Sequence, residues 1–268
     1  MNKGGMFMNA KKNKNRFEVT LTFVTWFAIF LVWFLGTNLR EVSSLILPSP
    51  QEVWETFIAI VRNGYNNISI WQHLSDSFVR LFWAVAVAFV TAVPLGLLSG
   101  YFGKFRAVID SIVQFYRPIP PLAYYALLIL WMGIDDASKV TLLYLAAFAP
   151  IYIACVAAVN SVNQDYILSS RSLGASQKDV FLKIVLPACM PDIFTGLRTA
   201  MGFAYTTLVA AEMTAATSGI GWMVIDASRY LKSDVMFVGI IIMGITGILM
   251  DSGLLYLENK FIFWKGKD

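Results

Sequence analysis

Apolar residues gather into six stretches along the chain: Phe17 to Leu39, Phe78 to Tyr101, Pro118 to Gly133, Val140 to Asn160, Ile193 to Met213 and Val235 to Leu257. A helix needs about 20 mainly apolar residues to cross a hydrocarbon core, so the pattern predicts an all-α, polytopic membrane protein with six transmembrane helices. The third stretch is short, and Pro118, Pro120 and Pro121 restrict its start. A beginning near Ala107 is the alternative. Between the first two stretches, Leu47-Pro48-Ser49-Pro50-Gln51-Glu52 carries the signature of a helix start. Ser49 is the N-cap, Pro50 the first helical residue and Glu52 the other half of a capping box. Val53, Trp54, Phe57, Ile58 and Val61 follow at helical spacing and predict a short amphipathic helix on the external side.

Charge orients these elements. Lys3, Lys11, Lys12, Lys14 and Arg16 precede the first stretch; Lys104, Arg106 and Arg117 follow the second; Arg171, Lys178 and Lys183 follow the fourth; Lys260, Lys265 and Lys267 end the chain. Glu41, Glu52, Glu55, Asp76, Asp135 and Asp136 fall on the opposite side. Lys and Arg are enriched in short cytoplasmic loops, so both termini are expected in the cytoplasm, as an even number of spans requires. Composition agrees: 57% hydrophobic, 14% charged, a mean hydropathy of +0.64 and a net charge of +4. Soluble proteins are far less apolar, and the basic balance is that of cytoplasmic loops, so nucleic acid is not an expected partner. Cys155 and Cys189 lie in or beside apolar stretches without metal-ligand spacing and read as small hydrophobes. His73 has no other metal-ligating or catalytic group at useful spacing. No metal, cofactor or catalytic residue is expected.

The segment from Gln164 to Pro191 is longer and better organised than a connection requires. It reads as two short helices around Gly174, which is placed for a left-handed C-terminal turn. Asp165 favours the first helix start. Ser176 and Asp179 cap a second helix that carries Phe181, Ile184 and Val185, and Pro187 is expected to help end it. Pattern alone permits either a hairpin docked on a cytoplasmic partner or one lying on the membrane.

Gly174, with Ile184-Val185-Leu186-Pro187 after nine further residues, resembles the EAA loop of ABC-importer permeases. Leu168-Ser169-Ser170 stands where that loop has its name-giving triplet. Arg117-Pro118-Ile119-Pro120-Pro121-Leu122-Ala123, Leu130-Trp131-Met132-Gly133-Ile134, Gly196-Leu197-Arg198 and Leu208-Val209-Ala210-Ala211-Glu212-Met213 are similar to the nitrate, sulfonate and taurine branch, with taurine-type permeases the nearest. The resemblance implies a type I ABC-importer permease fold and a homodimer. Two cytoplasmic ATPase subunits and an external substrate-binding protein would complete the assembly, in contact with membrane lipid. It assigns ATPase coupling to Arg171, Gly174, Ala175, Ser176, Ile184, Leu186 and Pro187, and makes a small sulfonate, taurine first, the expected substrate. The organisation expected is then residues 1–16 as a cytoplasmic tail, 17–73 as the first span with the external helix, 74–260 as the permease core with its coupling loop at 164–191, and 261–268 as a second tail. The chain lacks a G-x-x-x-x-G-K-[ST] phosphate loop, so ATP hydrolysis is expected in a partner.

Within the fifth stretch Arg198, Tyr205, Thr206, Thr207 and Glu212 are the candidates for a translocation path, since charge and hydroxyls at bilayer depth are functional by default. Helix-end contacts and interhelical hydrogen bonding are the competing structural roles. A stand-alone secondary transporter would call for internal repeats with ion-coupling charges, and a membrane-embedded enzyme for clustered acids, His or Cys. Neither pattern is apparent.

Overall fold

The computed structural model describes residues 3–38, 43–262 and 264, with side chains from Val19 onward. Leu39, Glu41, Lys265 and Lys267 lie outside the described residues, as do the side chains of the basic N-terminal positions. Every regular element among the described residues is helical: α1 (Lys3–Asn38), α2 (Pro50–Asn63), α3 (Ile70–Tyr101), α4 (Gly103–Tyr116), α5 (Pro121–Met132), α6 (Asp136–Ser161), α7 (Gln164–Ser172), α8 (Gln177–Val180), a π turn (Phe181–Val185), α9 (Leu186–Ala215), α10 (Ile220–Arg229) and α11 (Ser233–Phe261). Five helical stretches are long and apolar enough to cross a membrane: Val19–Asn38, α3, α6, the continuous Gln177–Ala215 and α11. The third predicted stretch holds a single short helix, and the alternative start near Ala107 is not continuous with it. α4 stops at Tyr116, Arg117 to Pro120 break the path, and α5 resumes for 12 residues. At 1.5 Å per residue α5 is about 18 Å long, short of the roughly 30 Å core.

The core is a three-helix bundle of α3, α6 and α9, and small residues explain how closely these helices meet. Ala84, Ala88, Ala92, Gly96 and Gly100 recur every fourth residue of α3, which places them on one face. The three alanines are fully buried. A Cβ on Gly96 would come within 2.5 Å of the Cys155 Cβ, and one on Gly100 within 2.6 Å of the Val159 Cβ, both on α6. On α9, Gly196, Ala200 and Ala204 repeat the device, and a Cβ on Gly196 would collide with Ala154. In lipid, association rests on such close packing because burial from water is not available as a driving force. The free thiols of Cys155 and Cys189 are buried between these helices.

Pro187 does not end the second short helix. Helical backbone runs through it from α8 into α9, by way of the π turn. Proline removes an N–H and crowds the carbonyl four residues back, and the wider π turn just before it makes room. The extra residue in that turn also keeps the register: Val180 and Val185, five apart, are both buried, and Cys189 and Ile193 continue the same face.

At the other end, α2 begins as its sequence signature predicts. Ser49 accepts from the Glu52 N–H, and the Glu52 carboxylate accepts in return from the Ser49 N–H at 2.7 Å. The helix is tied to the bundle by Thr56 to Asp234 at 2.6 Å. The turn that follows is tied by Tyr65 and Asn66, both donating to Asp226. Burial and the Asp226 carboxylate push the Tyr65 hydroxyl well above its ordinary range, so it remains a donor throughout the physiological pH range.

Candidate functional site

A cleft of about 710 Å³ opens between the α4–α5 break, α6 and α9. On α9 its wall is made by Asp192, Thr195, Gly196, Thr199, Phe203 and Thr207. Apart from the adjacent Thr195 and Gly196, these positions lie three to four residues apart and so form one stripe along the helix. On α6, Ala146 and Pro150 both face the cleft. Pro150 deprives the Ala146 carbonyl of its α-helical donor, leaving an acceptor for other groups. Ser161 and Asp192 mark the end nearest the 164–191 segment, and Arg117, which lines this cleft, also borders a second, more polar cleft of about 640 Å³ beside Arg106 and Asp110.

The candidate path residues are distributed over four surroundings. Thr207 lies on the cleft stripe, although its hydroxyl donates to the Phe203 carbonyl of its own helix at 2.8 Å. Thr206 is exposed and likewise bonds back, to Phe203 at 3.0 Å. Tyr205 reaches across to α11, where its hydroxyl meets the Met243 carbonyl at 2.9 Å and Thr246 at 2.7 Å. Arg198 contacts both carboxylate oxygens of Asp251 on α11, at 2.9 and 3.0 Å, and lies 3.7 Å from Glu258. Since the Thr206 hydroxyl is spent on its own helix, Thr206→Val is expected to leave substrate preference within about twofold of the parent in competitive uptake, as loss of a purely local bond predicts.

Glu212 belongs to a polar cluster at the opposite end of the bundle. Its carboxylate is 1% exposed and accepts from Arg80 Nη1 at 2.9 Å, the Ser77 hydroxyl at 2.7 Å and the Gly221 N–H at 3.0 Å. Arg80 also donates through Nε to Asp136 at 2.8 Å and through Nη1 to the Ser218 carbonyl at 3.1 Å. The Ser218 hydroxyl donates to Asp76 at 2.5 Å, and the Gly219 N–H donates to His73 Nδ1 at 3.1 Å. His73 stacks on Trp222, with ring centroids 5.6 Å apart. Together these contacts hold the connection between α9 and α10 against α3. Gly219 is indispensable there: its φ is +118°, and a Cβ would overlap the Glu212 carboxylate.

Hydropathy starts the second span at Phe78 and gives no role to Arg80. The helix begins at Ile70 and carries Asp76, Ser77 and Arg80 against its neighbours. Asp192, Thr195 and Thr199 are absent from the sequence candidates as well, although polar residues at spacings of three and four within an apolar run mark one helix face.

The 164–191 segment has the two-helix form expected. Asn163 caps α7, with Asp165 in its first turn. Gly174 follows with φ +86°, and Ser176 caps α8 while bonding Asp179 at 2.5 Å. No residue of α7 is buried, and Tyr166, Leu168 and Leu173 present apolar surface. Arg171 and Ser176 are exposed or capping, Ala175 packs partly on the core, and Ile184, Leu186 and Pro187 lie in the π turn and the first turn of α9. The hairpin thus offers an exposed face and is built continuously into the helix that walls the cleft.

Comparison with known proteins places this arrangement. Residues 92–262 match the family described as binding-protein-dependent transport system inner membrane components. The chain is 39% identical over 251 residues to the taurine transport system permease protein TauC of Escherichia coli (strain K12), covering 93% of this chain and 91% of that one. It is 33% identical over 242 residues to the putative aliphatic sulfonates transport permease protein SsuC of the same organism, covering 89% and 90%. Among solved structures, the MetNI methionine ABC transporter in an inward-facing conformation (CY5 native crystal form) aligns with a TM-score of 0.59 at 18% identity, over 78% of this chain and 96% of that one. At that identity the likeness is one of fold, the type I ABC-importer permease fold. Because the matched region takes in the α6–α9 wall of the cleft and the hairpin joined to it, this chain belongs to the binding-protein-dependent transport system inner membrane components, as an ABC-importer permease of the branch that includes taurine and sulfonate permeases.

Proposed function

We propose that this chain provides the membrane path for ATP-driven uptake of a small sulfonate, taurine foremost, and that it works as a homodimer with two cytoplasmic ATPase subunits and an external substrate-binding protein. One observation carries the reading: the helical element Gln177–Ala215 begins in the exposed hairpin and continues as the polar stripe of the cleft. A partner that grips the hairpin therefore acts on the cleft wall without an intervening loop. The second copy closes the open side of the cleft, lipid surrounds the pair, and ATP hydrolysis resides in the partner subunits. Taurine and aliphatic sulfonates, after which the related permeases are named, support the substrate class; another alkanesulfonate, nitrate or a thiamine-precursor pyrimidine are the competing cargoes.

Reconstitution tests the reading. In liposomes, labelled taurine is expected to accumulate only when the chain, the ATPase, the binding protein and ATP are all present. Full-rate uptake by the chain alone would instead identify a secondary transporter. The charge distribution further supports cytoplasmic termini, which cysteine labelling at Asn13, Asn63 and Lys267 checks. Asn63 is expected to react from outside, the other two only after permeabilisation; external labelling at Lys267 would overturn the orientation.

A further inference from the structure

Ionisable side chains carried by the long helices are mostly committed to one another: Arg80 to Glu212 and Asp136, Lys139 to Asp136, and Arg198 to Asp251. On α4, Arg106 is paired with Asp110. Arg117 and Asp192 differ. Both line the large cleft, both are exposed, and neither is ion-paired with any described residue. They come from separate elements, Arg117 from the α4–α5 break and Asp192 from the first turns of α9. Arg117 borders both clefts together with Ile153 and Ala157, and Asp192 lies one turn before Gly196, which meets Ala154, so both face the 153–161 stretch of α6 that leads to the hairpin. Pro118, Ile153 and Ala157 supply apolar wall between them, with hydroxyls from Ser161 and Thr195.

We infer that this end of the cleft is a subsite for a short zwitterion, in which Arg117 takes the anionic end and Asp192 the cationic end. A guanidinium offers several donors in a plane and suits an oxyanion, while a carboxylate accepts from an ammonium. An apolar middle fits the short methylene link of a 2-aminoalkylsulfonate. A simple monoanion fits worse, because Asp192 would stand in the same cleft and repel it. The inference deepens the importer reading by locating selectivity for the ammonium within the permease itself, and it rests on that reading for the identity of the ligand.

Equilibrium dialysis of the permease–ATPase assembly in lipid nanodiscs, without ATP and without the binding protein, tests it with radiolabelled taurine and radiolabelled ethanesulfonate, which lacks the ammonium. Saturable taurine binding is expected, weakened about tenfold or more in Arg117→Gln and in Asp192→Asn, as loss of a charge-assisted hydrogen bond predicts. Ethanesulfonate binding is expected to fall in Arg117→Gln and to hold or improve in Asp192→Asn. Thr206→Val, which leaves the cleft untouched, serves as the folding control. Absence of saturable taurine binding, taurine binding that Asp192→Asn leaves intact, or an equal loss of both ligands in that variant overturns the subsite. The uptake experiment above is independent: binding here without ATP-driven uptake sinks the importer reading alone, whereas uptake without binding here sinks the subsite alone.

Discussion

Replacing Arg80 with Met is expected to lower the stability of the purified chain by about 3 kcal/mol, at the low end for breaking a buried ion pair. The reason lies in what is left behind. Glu212 is 1% exposed, and without Arg80 its carboxylate keeps only the Ser77 hydroxyl and the Gly221 N–H as close donors. An incompletely compensated buried charge costs more than the pair itself contributes. In a thermal melt in detergent the loss should appear as a fall of about 10 °C, taking the scaling of a chain of this size. Adding Glu212→Gln should restore much of it, because a neutral amide still accepts from Gly221 and needs no counter-charge. If Arg80→Met melts with the parent, the cluster does not hold the α9–α10 connection in place.

Gly174→Val is the second large effect, and its cause is backbone conformation alone. No heavy atom lies within 4 Å of where a Cβ would sit, so there is no clash to relieve. The cost arises from φ +86°, at which a side chain costs about 1 kcal/mol and a β-branched one more. Membrane insertion and self-association should survive, since none of the α3–α6–α9 packing involves this turn. The hairpin, however, would lose its shape. Copurified tagged ATPase and ATP-driven taurine uptake are each expected to fall about tenfold or more, as a coupling loss of about 1.4 kcal/mol implies. Leu168→Ala should do less, as Leu168 is one exposed side chain on an otherwise intact helix. Retention of both partner and uptake by Gly174→Val would remove the hairpin from the coupling role.

Features whose chemistry is local are legible in the sequence. Ser49 with Glu52, Ser176 with Asp179, and Gly174 at a positive φ each involve residues no more than a turn apart, and each stands in the structure as its pattern implies. Pro187 misleads because a π turn is a matter of register, and nothing in a proline-containing stretch says whether the backbone will widen or stop. The Arg80–Glu212 pair is hidden by distance, with its members 132 positions apart. A span boundary drawn by hydropathy at Phe78 also makes Arg80 look like a misfit in an apolar run. The cleft is hidden for a related reason. Its wall exists only once particular faces of α6 and α9 are turned toward the α4–α5 break, and the close approach of Gly196 to Ala154 fixes that rotation. Hydropathy reports how deep a residue sits, whereas the cleft depends on azimuth.

The absence of a break between α8 and α9 also has a mechanical meaning. From Gln177 to Ala215 the element has 39 residues, which at 1.5 Å each make a rod about 58 Å long. A loop at its base would dissipate any push as bending. Were a bound partner to tilt the hairpin by about 5°, an element of that length that stayed straight through its π turn would displace the far end by about 5 Å, comparable to one helical turn. The far end is Ala215, next to the connection that Arg80 and Glu212 clamp to α3. The clamp thus sits where such a stroke would be longest, so in the proposed coupling a tilt of the hairpin would work against that distant ion pair.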